Sequence, residues 1–144
     1  MQNRLSEPDS MMATMAQERP RTRVIAVTSG KGGVGKTNVV ANLAVELARV
    51  GKRVLVLDAD LGLGNIDVLL GLVPRYTLEH VLCGSHRLSD IIIQGPAGIQ
   101  VLPAGSGLPQ FTSLTDTQQL MLQSELEHIA DTVDVLLIDT GAGV

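Results

Sequence analysis

Gly30-Lys31-Gly32-Gly33-Val34-Gly35-Lys36-Thr37 is the stretch whose reading decides the fold. Its spacing is that of the eight-residue phosphate-binding P-loop, Gly-x-x-x-x-Gly-Lys-Ser/Thr. Gly30, Gly32, Gly33 and Gly35 let successive backbone N–H groups turn inward toward an anion, which side chains at those positions would obstruct. Lys36 is spaced to reach the β- and γ-phosphates and Thr37 to offer its hydroxyl to Mg²⁺. A helix opening here aims its positive end at the same anion. The competing reading, a merely flexible glycine loop, loses ground to context: an apolar strand-like run precedes the motif and a helical period follows it.

That run is Val24 to Val27, and two more like it occur at Val54 to Leu57 and Val135 to Ile138. Each has the length and β-branched content of one buried strand, and a weaker fourth spans Ile99 to Leu102. After the loop, Val40, Leu43, Ala44 and Leu47 recur at i, i+3, i+4 and i+7, one face of a helix, and Gly51 follows as a left-handed terminator. Strand, loop, helix and strand in this order predict a right-handed crossover. Leu122, Leu126, Ile129, Ala130 and Val133 predict a second crossover helix, opened by the capping box Thr115-x-x-Gln118. Ile66 to Leu70, Leu78 to Leu82 and Leu88 to Ile92 each predict a short helix, with Gly71, Pro74, Gly84 and Gly95 between them. The expected architecture is α/β: a mainly parallel sheet flanked by helices.

Composition limits what such a fold does. The chain of 144 residues is about one domain long, with an aliphatic core in which Tyr76 and Phe111 are the sole aromatics. It lacks the stacking faces of a single-strand nucleic-acid platform. A net charge of −4 repels a phosphate backbone, so no direct nucleic-acid binding is expected. One cysteine, Cys83, allows no internal disulfide and fits a reducing cytoplasm; it reads as a buried apolar side chain. No run approaches a membrane span. Residues 1–22 read as a flexible arm ahead of a domain over 23–144. The chain stops six residues past Ile138 without a helix to cover the last strand, so the sequence looks cut off.

Ligands of open α/β sheets bind beyond the carboxyl ends of the strands, which brings the loops after the second and last strands to the cradle. Both open on aspartate. Asp58 and Asp60 alternate onto one side if the strand continues, so one can hold the water shell of Mg²⁺ while the other orients an attacking water. Asp139 follows an apolar strand as the acid of a Walker B site, accepting from water on the ion. Gly141-Ala142-Gly143 predicts a small-residue loop near the γ-phosphate. His80, His86 and His128 have no metal-ligand spacing, and Cys83 has no evident activating base; all four read as structural or surface residues.

Taken together, SGKGGVGKT (29–37), DADLGLGNIDVLLG (58–71) and IDTGAG (138–143) resemble the MinD/ParA class of deviant Walker A ATPases over roughly residues 23–144. Asn38 directly after the P-loop Thr, the LGLGNIDVLLG run and QGPAGIQVLPAGSG (94–107) are most similar to its FleN/FlhG branch of flagellar-number regulators. The resemblance implies ATP and Mg²⁺ as cofactors, bound by Gly30, Lys31, Gly32, Gly33, Val34, Gly35, Lys36, Thr37 and Asn38, with the metal at Thr37, Asp58 and Asp139. It implies catalytic roles for Lys31, Lys36 and Asp60. Lys31 is otherwise a plain solvated lysine; the class uses it across an ATP-dependent homodimer, in the manner of an arginine finger. Asp60 becomes the hydrolytic acid of switch I, and Asn65 a dimer-interface residue. Implied partners are the GTPase FlhF, a flagellar transcription activator or flagellar switch proteins. Membrane contact at the cytoplasmic face is implied for an amphipathic helix beyond Val144, and the arm shows no DQA-type motif that would stimulate FlhF. Division-site placement, partition of DNA and a non-hydrolysing partner-binding module are the alternatives; the acidic charge weighs against partition.

Overall fold

A computed structural model describes residues 21–60, 63–105 and 114–142; the expected arm, apart from its last two residues, lies outside them. The elements are β1 (Arg23–Ser29), α1 (Lys36–Arg49), β2 (Val54–Ala59), α2 (Ile66–Leu69), α3 (Leu78–Leu82), β3 (Ile93–Gln94), β4 (Gln100–Leu102), α4 (Asp116–Ala130) and β5 (Val135–Ala142). Single 3-10 turns at Leu88–Ile91 and Pro96–Gly98 flank β3. The sheet order is β1-β5-β2-β4-β3, parallel except for the two-residue β3, which runs against β4.

Alternation along the strands splits the core in two. Val54 and Val56 of β2, Val135 and Leu137 of β5 and Val101 of β4 pack with Val40 and Ala44 of α1 and Ile66 of α2. Leu55, Leu57 and Leu136 face the other way, onto Leu78 and Val81 of α3, Leu88 and Ile91, and Leu122 and Ile129 of α4. The result is a sheet between two helical layers, as the crossover spacing predicts.

Helix ends follow the sequence signals. Gly51 takes φ +85°, and its N–H and that of Lys52 donate to the Ala48 and Leu47 carbonyls, a Schellman stop for α1. Thr115 and Gln118 exchange their capping bonds at 3.3 and 3.0 Å to open α4. The Thr22 hydroxyl donates to the Ala130 and Val133 carbonyls at 2.6 and 2.9 Å, tying the entry to β1 onto the end of α4. Asp134 binds the Arg53 N–H and guanidinium where β2 and β5 begin, which holds its carboxyl down at about 2.

Four expectations need correction. The run Val24 to Val27 is not buried: β1 has β5 on one side and no partner on the other among the described residues, leaving Val24 59% and Ile25 38% exposed. Between β1 and α4 lies an open apolar groove of about 540 Å³, lined by Val24, Leu122, Leu126 and Leu136 among others. The last strand continues through Thr140 to Ala142, where a loop was expected, because Ala59 and Ser29 on its two neighbours still pair with it. Leu88–Ile91 makes a 3-10 turn and then enters β3. Cys83 is exposed, since it caps the end of α3 where the helix meets solvent. No helix among the described residues is long and apolar enough to cross a membrane.

Candidate nucleotide site

The carboxyl edge of the sheet carries a pocket of about 450 Å³ whose floor is the backbone from Gly32 to Asn38. Gly33 and Gly35 sit at φ +72° and +91°, conformations that a Cβ would strain, and they turn the chain sharply into α1. α1 starts without a side-chain cap and with no acid in its first turn. Its first N–H groups therefore face the pocket unanswered, and its dipole adds to their pull on an anion. Gly32 lies against Ala142 at the end of β5, which closes the floor on that side.

Lys36 projects from the first position of α1 and donates to the Ser29 hydroxyl at 3.0 Å; that hydroxyl donates in turn to the Lys31 carbonyl at 2.7 Å. Ser29 thus holds the lysine over the loop, a role the motif spacing did not single out. Lys31 is exposed and lies outside the pocket lining.

Three aspartates surround the far side. Asp58 and Asp139 are register partners on adjacent parallel strands, so their side chains leave the sheet on the same face, that of α1. Both are buried, 1% and 2% exposed. Burial pushes the Asp58 carboxyl up to about 6, against the pull of the Ile66 and Asp60 N–H groups and with a further push from Asp139 and Asp60. Asp139 is also raised by burial, while the Thr37 hydroxyl and the Lys36 charge pull it back. Its Oδ1 has no hydrogen-bond partner. A buried carboxylate oxygen without a donor, beside the Thr37 hydroxyl and one turn from an unanswered helix end, suits a hydrated divalent cation between protein and phosphate.

Asp60 lines the pocket; its Oδ1 accepts the Leu63 N–H at 3.2 Å, and its carboxyl rests against Gly141. Asn65 and Ala142, the latter from the small-residue stretch expected near the γ-phosphate, line it as well, together with Leu63, Leu69 and Thr140, to which no sequence motif assigns a site role. The Thr140 hydroxyl is spent on the Val27 carbonyl at 2.9 Å, which fastens β5 to β1 beneath the loop. The pocket thus gathers Gly32 to Asn38 with Asp60, while Gly30, Lys31, Asp58 and Asp139 stand outside its lining. Leu63, Val34 and Leu69 stay 74%, 56% and 45% exposed around the mouth. His80 and His86 are half-buried against Tyr76 on the flank, at ring separations of 5.3 and 3.8 Å. His128 is exposed on α4.

Comparison with known proteins agrees with this geometry. The model of a family described as AAA domain matches residues 22–142. The antiactivator FleN of Pseudomonas aeruginosa is 50% identical over 133 residues, covering 92% of this chain and 47% of FleN. The flagellum site-determining protein YlxH of Helicobacter pylori is 36% identical, covering 100% of this chain and 51% of YlxH. Among solved structures, the septum site-determining protein MinD of Pyrococcus horikoshii, complexed with Mg-ADP, superposes with a TM-score of 0.73 at 34% identity, over 85% of this chain and 50% of that one. The chain spans about half the length of the relatives it matches.

Proposed function

Because this chain belongs to the AAA-domain family of P-loop proteins, in its MinD/ParA class, we propose that it supplies the nucleotide site of an ATP-binding, ATP-hydrolysing regulatory switch controlling flagellar number or placement. The observation that carries this reading is the partnerless Asp139 Oδ1 beside Thr37, facing a glycine cradle and a poised Lys36. In this reading the N–H groups of Gly32 to Thr37 and the Lys36 ammonium would hold the phosphates, and Thr37 and Asp139 would hold Mg²⁺. Bound there, the ion would supply neutralisation of charge developing on the transferred phosphoryl group. Asp60 orients the attacking water, and Lys31 reaches the phosphates of a second copy.

The exposed apolar rim of Val34, Leu63 and Leu69 supports an ATP-dependent homodimer closing over the pocket, since a second copy would cover it. The similarity to FleN and YlxH supports a flagellar regulator over a division-site protein, with FlhF, a flagellar transcription activator or switch proteins as its partners. The test is phosphate release from Mg-ATP with size-exclusion chromatography. Asp60→Ala is expected to abolish turnover while keeping ATP binding and accumulating dimer; unchanged hydrolysis in that variant would sink the assignment. Lys31→Ala is expected to lower both dimer fraction and turnover, and a normal dimer would remove the cross-subunit role.

A further inference from the structure

Asp58 and Asp139 are paired in register and equally buried, yet their oxygens are used differently. Asp139 keeps one oxygen without a donor. Asp58 commits both: Oδ1 accepts the Asp60 N–H at 3.2 Å and Oδ2 the Ile66 N–H at 3.3 Å. Asp60 is where the chain leaves β2, and Ile66, wholly buried, is where α2 starts. One carboxylate at the end of a buried strand therefore fastens both ends of the segment that brings Asp60 and Asn65 to the pocket.

The contact is close enough to dictate sequence on the other side. A Cβ at Gly64 would lie 2.8 Å from Asp58 Oδ2 and 3.0 Å from the Ala104 Cβ at the end of β4. The Gly64 backbone is not in the left-handed region, so the glycine is required by proximity to that carboxylate. A buried carboxylate satisfied by two backbone N–H groups is held in place by them as much as it holds them.

We propose that Asp58 is a positioning residue whose carboxylate clamps the backbone at Asp60 and at Ile66 and so aims Asp60 at the pocket, and that Gly64 is glycine to admit it. The proposal rests on reading Asp60 as the hydrolytic acid. Asp58 acts on the protein backbone, and Asp139 is left to serve the ion.

Asp58→Asn keeps one acceptor and turns an NH₂ toward a backbone N–H, a donor facing a donor. Losing one charge-assisted bond, it is expected to lower kcat about tenfold while the Mg-ADP dissociation constant stays within about twofold of the unsubstituted chain. Hydrogen exchange of the Ile66 and Asp60 amides should quicken by about the same factor, with β5 and α1 amides unchanged. Gly64→Ala presses on the same oxygen from the opposite side and should reproduce this pattern. The double variant should be no worse than the poorer single one, because both act through one contact. Normal exchange at Ile66 in both variants overturns the clamp. So does an Asp58→Asn protein that loses Mg-dependent affinity but keeps Ile66 protection, since that is the behaviour of an ion partner. An unsubstituted chain without turnover overturns the hydrolytic reading instead, and the exchange result still decides the clamp. Should Asp58→Asn fail to fold, Gly64→Ala decides both points.

Discussion

Between Ser29 and Thr37 the chain shapes itself with what lies close by in sequence: glycines at positive φ, a helix start, and a serine that holds a lysine seven positions away. At Asp58, Asp60, Gly64 and Ile66 a buried carboxylate of the stretch itself is joined by neighbours from other strands, Ala104 at the end of β4 and Gly141 in β5. The first loop is preorganised to receive an anion, and it needs little else. The second rests at its described residues partly on contacts with other strands, which suits an element that responds to what is bound. The phosphate-holding half and the responsive half of the pocket thus differ in where their stability comes from.

The sharpest break between them is Lys36→Ala. On the proposed reading Lys36 makes charge-assisted bonds to phosphate, whose loss costs about 3 kcal/mol or more, so nucleotide affinity should fall ~100-fold in a titration, with the Ile66 amide as protected as before. A second test uses acidity. Asp58 binds its proton more tightly folded than unfolded, at about 6 against an ordinary 3.8, so stability falls as pH rises through that window and levels off above it. The span carries about 3 kcal/mol. Denaturant midpoints of the metal-free chain from pH 4 to 7 should show that slope, and Asp58→Asn should make it shallower, leaving the part that Asp139, also raised by burial, contributes. A slope no shallower in Asp58→Asn would mean that this carboxylate does not govern it.

Smaller effects separate backbone strain from binding. Gly35→Ala forces a Cβ into a left-handed conformation at the start of α1, costing about 1–2 kcal/mol of stability and weakening nucleotide binding with it. Gly51→Ala meets the same strain at the far end of α1 and should cost about 1 kcal/mol in thermal or denaturant unfolding without changing affinity. Equal binding losses in both variants would mean that helix stability, and not loop shape, sets affinity.

The contrast also explains what sequence made legible. The cradle, the α1 stop at Gly51 and the capping box of α4 are local patterns, and each stands where its spacing predicts. Asp58 reads as a candidate metal residue from Asp58-Ala59-Asp60 and the resemblance; its bond to Ile66 forms only where the chain returns over the end of β2, and no local pattern announces it. Leu63, Leu69 and Thr140 lie inside the motif stretches but no spacing gives them a role, and they reach the pocket through the folding of the chain around it. Val24 and Ile25 are exposed for the same reason: an apolar run reports a strand, but the strand's rank in the sheet decides what covers it.

That rank has a practical side. Val24 to Val27 is an uncharged, β-prone run on a strand whose outer ladder groups find no mate among the described residues, next to an apolar trough. Such an edge is a template for adding another molecule's strand, with Arg23 the nearest charge set against it. At high concentration, light scattering is therefore expected to report self-association through this edge, and Ile25→Lys is expected to lower it.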